Sequence, residues 1–482
     1  MSDTRNTLER LLGYLPSVKG PTGHVPFNNK LLWTAAVLIL YFTLTNIPVW
    51  GLSTTGSGSD LFGQFRSILA GSQGSILQLG IGPIVTASIV LQMLTGTDIL
   101  NFDLSDPRDQ SLYQSLQKAL VFVMVVITGL AIAFSGTFLP PSGQLATLFG
   151  ISITMVQFIM FLQIAFGGML IFYLDSIITK YGIGSGVGLF IIAGVSQQLI
   201  GGIVSQIIPT WIGFITGSIP INPVTSQGIS TLIFGSGAIL GIITTITIFF
   251  AVVYTESTRV EIPISNSRFS GARGKFPVKL IYASVMPLIL VRAVQANIQF
   301  VGRFLDSQLG AAMPSWIGTY VDGIPIDGLF YFISPIQSPD QWMWWSGAVS
   351  VEVWKVLLRV GIDVTWMVIG GAIFALFWVE TTGMGSESSA EKLKRSGLQI
   401  PGFRSNKNIL TKVMDRYVPF VTVIGGALVG LFAVLANLLG TIGGVTGTGL
   451  LLAVSITYKI YEEIAQEQLM EMDSRLRKFF EE

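Results

Sequence analysis

Apolar residues along this chain come in runs of about twenty, separated by short polar stretches. The runs predict membrane-spanning helices near 32–50, 76–95, 115–137, 148–174, 185–206, 229–254, 279–300, 356–380, 417–438 and 448–464. Three windows (119–174, 181–255 and 417–458) contain no Asp, Glu, Lys or Arg, and each is long enough for about two crossings. The expected fold is an all-α polytopic membrane protein of about ten helices, with both termini on one side. Residues 5–16, with Arg5 and an apolar face of Leu8, Leu11, Leu12 and Leu15, predict either a helix lying at the membrane surface or a frayed tail.

The second run carries the most unusual pattern. Its start, Gly80-Ile81-Gly82-Pro83-Ile84-Val85-Thr86, is loaded with helix breakers. Glycine leaves helical geometry freely, and proline lacks an amide hydrogen but suits a first helical turn. Just upstream, 60–74 is a small polar segment bounded by glycine, too short to cross a bilayer. A short half-helix joined at a pivot to a long helix is therefore expected. Lipid tolerates such a break only where protein or a water-filled cavity satisfies the freed backbone groups, which places 80–85 beside a path through the membrane.

Composition agrees. Half of the 482 residues are hydrophobic and 11% are charged, against about 25% charged in a soluble domain. The distribution of charge says more than its formal net value of +1. By the expected topology, about 23 of the 28 Lys and Arg fall in the tails and in or at the ends of the loops after even-numbered spans. Only Arg66 and Arg303 lie in the opposite loops, and Arg292, Lys355 and Arg359 lie in or at the edge of spans. That asymmetry assigns both termini to the cytosol. Two cytosolic loops are long and basic, 256–279 with Arg259, Arg268, Arg273, Lys275 and Lys279, and 381–416 with Lys392, Lys394, Arg395, Arg404, Lys407, Lys412 and Arg416. As mobile loops they suit phosphate backbones or anionic lipid, and their length exceeds what orientation alone needs.

Several chemistries are excluded. There is no cysteine, which removes disulfides and thiolate metal sites and leaves the redox compartment open. The single histidine, His24, lies in the polar N-terminal segment, so an intramembrane Ser–His dyad or histidine metal cluster cannot form. Residues 1–27 lack the apolar core of a leader, so no cleaved signal is expected. Gly271-Ala272-Arg273-Gly274-Lys275-Phe276 lacks the spacing and terminal hydroxyl of a phosphate loop. No enzyme, cofactor, metal or sequence-specific nucleic acid is expected. Arg292 and Asp363 are the intramembrane charges to explain; they either pair or each reach an aqueous funnel.

Four motifs then make the chain specific. The 80–94 stretch, Tyr181-Gly182-Ile183-Gly184-Ser185-Gly186-Val187-Gly188-Leu189-Phe190, Phe377-Trp378-Val379-Glu380-Thr381-Thr382-Gly383 and Gly402-Phe403-Arg404 together resemble the SecY family, the channel subunit of the Sec protein translocon. The resemblance runs from the first span to the tail and is archaeal or eukaryotic-like rather than bacterial. It implies two inverted, pseudo-symmetric halves around an hourglass pore, here 32–206 and 229–464, between a cytosolic segment 1–31 and a tail 465–482. It implies an aliphatic pore ring of Ile81, Val85, Val187, Ile191, Ile289 and Leu452, a girdle that dewets against ions yet yields around a peptide. It implies a plug at 60–74, including Asp60, Phe62, Phe65, Arg66, Ile68 and Leu69. It implies polar lateral-gate residues at Thr86, Thr128 and Asn297, between spans two and three and spans seven and eight. Ribosome docking would fall to Arg268, Arg273, Lys275, Arg404 and Lys407. The implied partners are SecE-type and SecG/beta-type small subunits, ribosomes, nascent chains with their signal sequences, and membrane lipid. With no nucleotide site, energy must come from translation or another driver. The expected function is translocation of unfolded polypeptide with sideways release of transmembrane segments, in an archaeal plasma membrane. The rival reading is a secondary transporter of a small solute, which also uses broken helices but needs a polar midplane site.

Overall fold

The computed structural model describes residues 18–21, 23, 25–53, 70–96, 107–135, 138–217, 228, 232–235, 238–266, 273–280, 286–321, 324–346, 351–382, 384–395, 398–399 and 407–481. The segment 5–16 and the expected plug residues Asp60, Phe62, Phe65, Arg66, Ile68 and Leu69 lie outside them. Eight helices among the described residues are long and apolar enough to cross a membrane. The two remaining expected spans correspond to a shorter helix, Gly82–Gly96, and to the first turns of Gly447–Glu481. Contacts group the chain into two units: 1–198 with 293–334 and 456–482, and 199–292 with 335–455.

In the first unit, α1 (Phe27–Thr45) begins after Pro26, whose carbonyl accepts from Asn29 and Lys30. Next come α2 (Gly82–Gly96) and α3 (Pro107–Phe134). The short α4 (Gly143–Phe149) is capped by Ser142 and ends at the left-handed Gly150. Ser152 caps α5 (Ile153–Tyr181) by accepting from the Met155 amide at 3.2 Å. In α6 (Gly186–Gly202) the opening amide of Val187 donates to Asp175 Oδ1 at 2.8 Å, an acceptor supplied by α5. Tyr41 stacks on Phe190 at 4.9 Å, and its hydroxyl donates to Ala70 O at 2.9 Å, so α1 packs on α6 and reaches Ala70, within the expected plug segment 60–74.

The second unit begins with the end of the fifth span. There a π turn, Ile203–Ile207, leads into α7 (Ile208–Thr216). Pro209 has no amide hydrogen, and the widened turn accommodates the missing ladder bond. After α8 (Ile239–Ser257) come β1 (Arg259–Asn266) and β2 (Arg273–Lys279), and then α9 (Met286–Leu309), the seventh span. Within α9, Arg292 belongs to the second unit and Ala293 to the first. The first unit also holds a small hairpin, β3 (Thr319–Val321) with β4 (Ile324–Asp327), and the short α10 (Leu329–Ile333). The second unit continues through α11 (Val353–Thr381), α12 (Ser386–Arg395), β5 (Leu398–Gln399) and α13 (Lys407–Leu439), and α14 (Gly447–Glu481) begins in it. Gly371 lies against the Gly426 carbonyl and Gly430 against that of Met367, so α11 and α13 meet backbone to backbone. Close approach through small residues is how helices gain packing energy in lipid.

The two basic loops are not simply mobile: β1 pairs antiparallel with β2 and, at Ser265 and Asn266, with β5, so both loops contribute to one three-stranded sheet in the order β2-β1-β5. The alternation Val260-Glu261-Ile262-Pro263-Ile264 carried that signal. The helix Ser386–Arg395 fills much of the second loop and adds Ala390 to a core with Val379, Leu410, Met414 and Val418. Within the expected tail 465–482, for which no fold was expected, α14 continues as a helix as far as Glu481.

Candidate channel site

The break before α2 forms as its breakers require. Gly80 has φ +54°, its amide donates to Leu77 O at 3.0 Å, and the Gly82 amide donates to Leu79 O at 3.3 Å. The first helical bond runs from the Val85 amide to Ile81 O at 3.0 Å. Ile81 therefore sits in the turn that opens the helix rather than on the helix itself, and Val85 sits one turn in. Protein, not lipid, satisfies the irregular backbone. The Ile76 amide donates to Ile47 O at 3.1 Å, the Val49 amide to Gly74 O at 2.7 Å, and the buried Gln78 side chain accepts from the Gly74 amide. A Cβ on Gly167 of α5 would lie 2.0 Å from Ile76 O, so only glycine lets α5 press against this turn. The expected condition for a break at membrane depth is met.

Of the residues expected in the ring, Ile81, Val85, Ile191, Ile289 and Leu452 are buried and Val187 is half-buried. The glycine-rich motif at 181–190 has a packing explanation: a Cβ on Gly186 would lie 2.5 Å from Asp175 Cα, so α6 starts in close contact with the residue that caps it.

Of the expected gate residues, two meet. Asn297 Nδ2 on α9 lies 3.4 Å from Thr86 Oγ1 on α2, and it also donates to Ala293 O at 2.8 Å. Thr128 is half-buried on α3, and no hydrogen bond joins it to either partner among the described residues. A polar pair missed in the sequence lies nearby, Gln117 Nε2 donating to Ser88 Oγ at 2.9 Å and linking α3 to α2. Single polar residues in apolar runs have no periodicity, so nothing marked them.

The intramembrane charges pair. Arg292 Nη1 lies 3.4 Å from Asp363 Oδ1, and Arg292 Nε donates to Thr448 Oγ1 at 3.0 Å. Asp363 Oδ2 accepts from the Ile336 amide at 3.3 Å. Arg359, expected in or at the edge of a span, is buried and donates to Pro335 O at 3.1 Å. Outside the spans, burial pushes the Tyr320 phenol above its ordinary value, the nearby Asp306 adds to the rise, and Arg303 opposes it. Of the expected docking residues, Arg273 and Lys275 lie two apart on β2, and Lys407 opens α13. Arg268 and Arg404 lie outside the described residues. Those residues hold no cluster of His, Cys, Asp or Glu suited to a metal.

The SecY family model matches residues 75–461, and the model for the plug domain of Sec61p matches residues 39–74. The chain belongs to the SecY family. Archaeal relatives extend along nearly its whole length. A protein translocase subunit SecY from Haloarcula marismortui is 57% identical over 99% of both chains, and that of Archaeoglobus fulgidus is 44% identical over 100% of both. Among solved structures, that of a protein conducting channel superposes with a TM-score of 0.77 at 35% identity, covering 96% of this chain and 97% of that one. Sec61 in a canine ribosome-channel complex gives 0.73 at 34% identity, with the same coverage of each chain. SecY is an integral multi-pass membrane channel, not an enzyme. The family and these relatives lend no support to a transporter of small solutes.

Proposed function

We propose that this SecY channel passes unfolded polypeptide through a constriction of Ile81, Val85, Val187, Ile191, Ile289 and Leu452, and releases apolar segments sideways past Thr86, Thr128 and Asn297. The observation that carries this reading is the glycine–proline break, which holds Ile81 in the opening turn and Val85 one turn into the helix, with protein groups bonding the freed backbone at Ile76, Gly80 and Gly82. Aliphatic side chains have no fixed contact geometry, so they seal against ions and still part around a chain. Residues 60–74, within the plug match, block the closed channel. Both termini and the β2-β1-β5 sheet lie in the cytosol of an archaeal cell, as the Lys and Arg distribution argues. Ribosomes dock there through Arg268, Arg273, Lys275, Arg404 and Lys407; the Sec61 relative at 34% identity comes from a ribosome-channel complex. Small subunits of SecE and SecG/beta type complete the assembly. The direct test is crosslinking of a stalled nascent chain to a photoreactive residue at 85 or 289. Crosslinks to lipid alone at both positions would remove the ring.

A further inference from the structure

The seventh span, α9, has 24 residues and so is about 36 Å long, against about 30 Å of hydrocarbon in a bilayer. Its end at Leu309 therefore lies within the headgroup layer, and the hairpin that follows starts there. β3 and β4 form a two-stranded antiparallel sheet on their own. One face holds the buried Pro325 and the half-buried Tyr320, whose ring lies 6.4 Å from that of Phe330. On a sheet at the surface of a soluble domain the other face would be polar. Here it carries Val321 at 53%, Ile324 at 56% and Ile326 at 41% exposure, flanked by Trp316 at 72% and by the exposed Leu329.

We propose that this hairpin is a membrane wedge, its bare face lying in the headgroup–acyl boundary of the lipid next to the end of the seventh span. Three observations select lipid as the occupant. The face continues from a spanning helix whose own Val301 and Leu309 are exposed, so it extends a surface that lipid already covers. The stretch between the seventh and eighth spans is rich in the side chain that favours this layer: five of the 10 tryptophans, at 316, 342, 344, 345 and 354, lie in or beside it. From Phe304 to Trp354 there is no Lys or Arg, against Asp306, Asp322, Asp327, Asp340 and Glu352. Attraction to anionic headgroups cannot hold such a segment, so burial of apolar area must, and the lipid it suits is uncharged.

The absence of cysteine makes the test clean. Trp316→Cys and Ile324→Cys, each labelled with an environment-sensitive fluorophore, are reconstituted as full chain in neutral phosphatidylcholine vesicles, with labelled Lys19→Cys as the aqueous control. Insertion by about 5–10 Å should make both hairpin labels about threefold or more less quenched by iodide than the control, and quenched by shallow doxyl lipids. Replacing part of the lipid with phosphatidylglycerol should leave this protection unchanged or weaken it. Iodide quenching equal to the control at both positions would overturn the proposal. So would protection that needs anionic lipid, or that arises only when small partner subunits are added. Melting temperatures of the labelled proteins show that they remain folded.

Discussion

Arg292 and Asp363 form a buried ion pair across two membrane helices, Nη1 to Oδ1 at 3.4 Å, with side chains 2% and 1% exposed. Thr448 on α14 and the Ile336 amide supply further hydrogen bonds, so the pair ties α9, α11, α14 and the segment before α11 into one polar contact.

Breaking a buried pair leaves one charge uncompensated, at a cost of about 3–5 kcal/mol. Asp363→Leu or Arg292→Met alone should lower the melting temperature in detergent markedly, whereas Arg292→Met with Asp363→Leu should lose less than either. A charge swap is a poorer rescue here, because an arginine at 363 could not accept from the Ile336 amide. A double apolar variant as unstable as the sum of its singles would show that the two charges act separately.

The Asn297–Thr86 contact is long for a hydrogen bond, and its coupling should fall near the ~0.6 kcal/mol average for polar pairs between membrane helices. An unfolding double-mutant cycle with Asn297→Ala and Thr86→Ala reads that coupling. A leucine-rich segment of about 20 residues gains several kcal/mol on entering lipid, at ~0.3–0.6 kcal/mol per residue. The substrate's own partitioning then exceeds what holds this contact, and Thr86→Ala should lower the hydrophobicity needed in an exported signal sequence. A coupling above about 2 kcal/mol would contradict a gate that a single segment displaces.

Neutralising Arg273 and Lys275 together should weaken ribosome binding and reduce its salt dependence, since each phosphate contact contributes about one unit to the slope of log affinity against log salt. Sedimentation of detergent-solubilised channel with ribosomes at several salt concentrations measures both. An unchanged slope would remove these two residues from the docking surface.

Tyr320 makes stability depend on alkaline pH. Burial holds its phenol above the ordinary 10.0. The folded state therefore keeps the proton longer than the unfolded chain, and the tyrosine's contribution is fully present below pH 10.0. It is lost as pH rises from there through the folded value. Tyr320→Phe should flatten the fall in melting temperature above about pH 10. At neutral pH it should change little, because the hydroxyl it removes is buried without a hydrogen-bond partner.

Sequence by itself determined the membrane class, the approximate place of each spanning helix, the break at Gly80 and Pro83 and the family. Long apolar runs have few other stable solutions in lipid, and glycine and proline act locally. Tertiary structure decided what depends on which distant residues meet. It made Arg292 and Asp363 a pair, joined Asn297 to Thr86 while leaving Thr128 apart from them, and placed Ile81 in a turn instead of on the helix. It also folded two basic loops into one sheet through pairing of residues 265–266 with 398–399. Such contacts join positions tens to hundreds of residues apart, and hydrophobic periodicity reports only which face of an element is apolar, never what that face will touch.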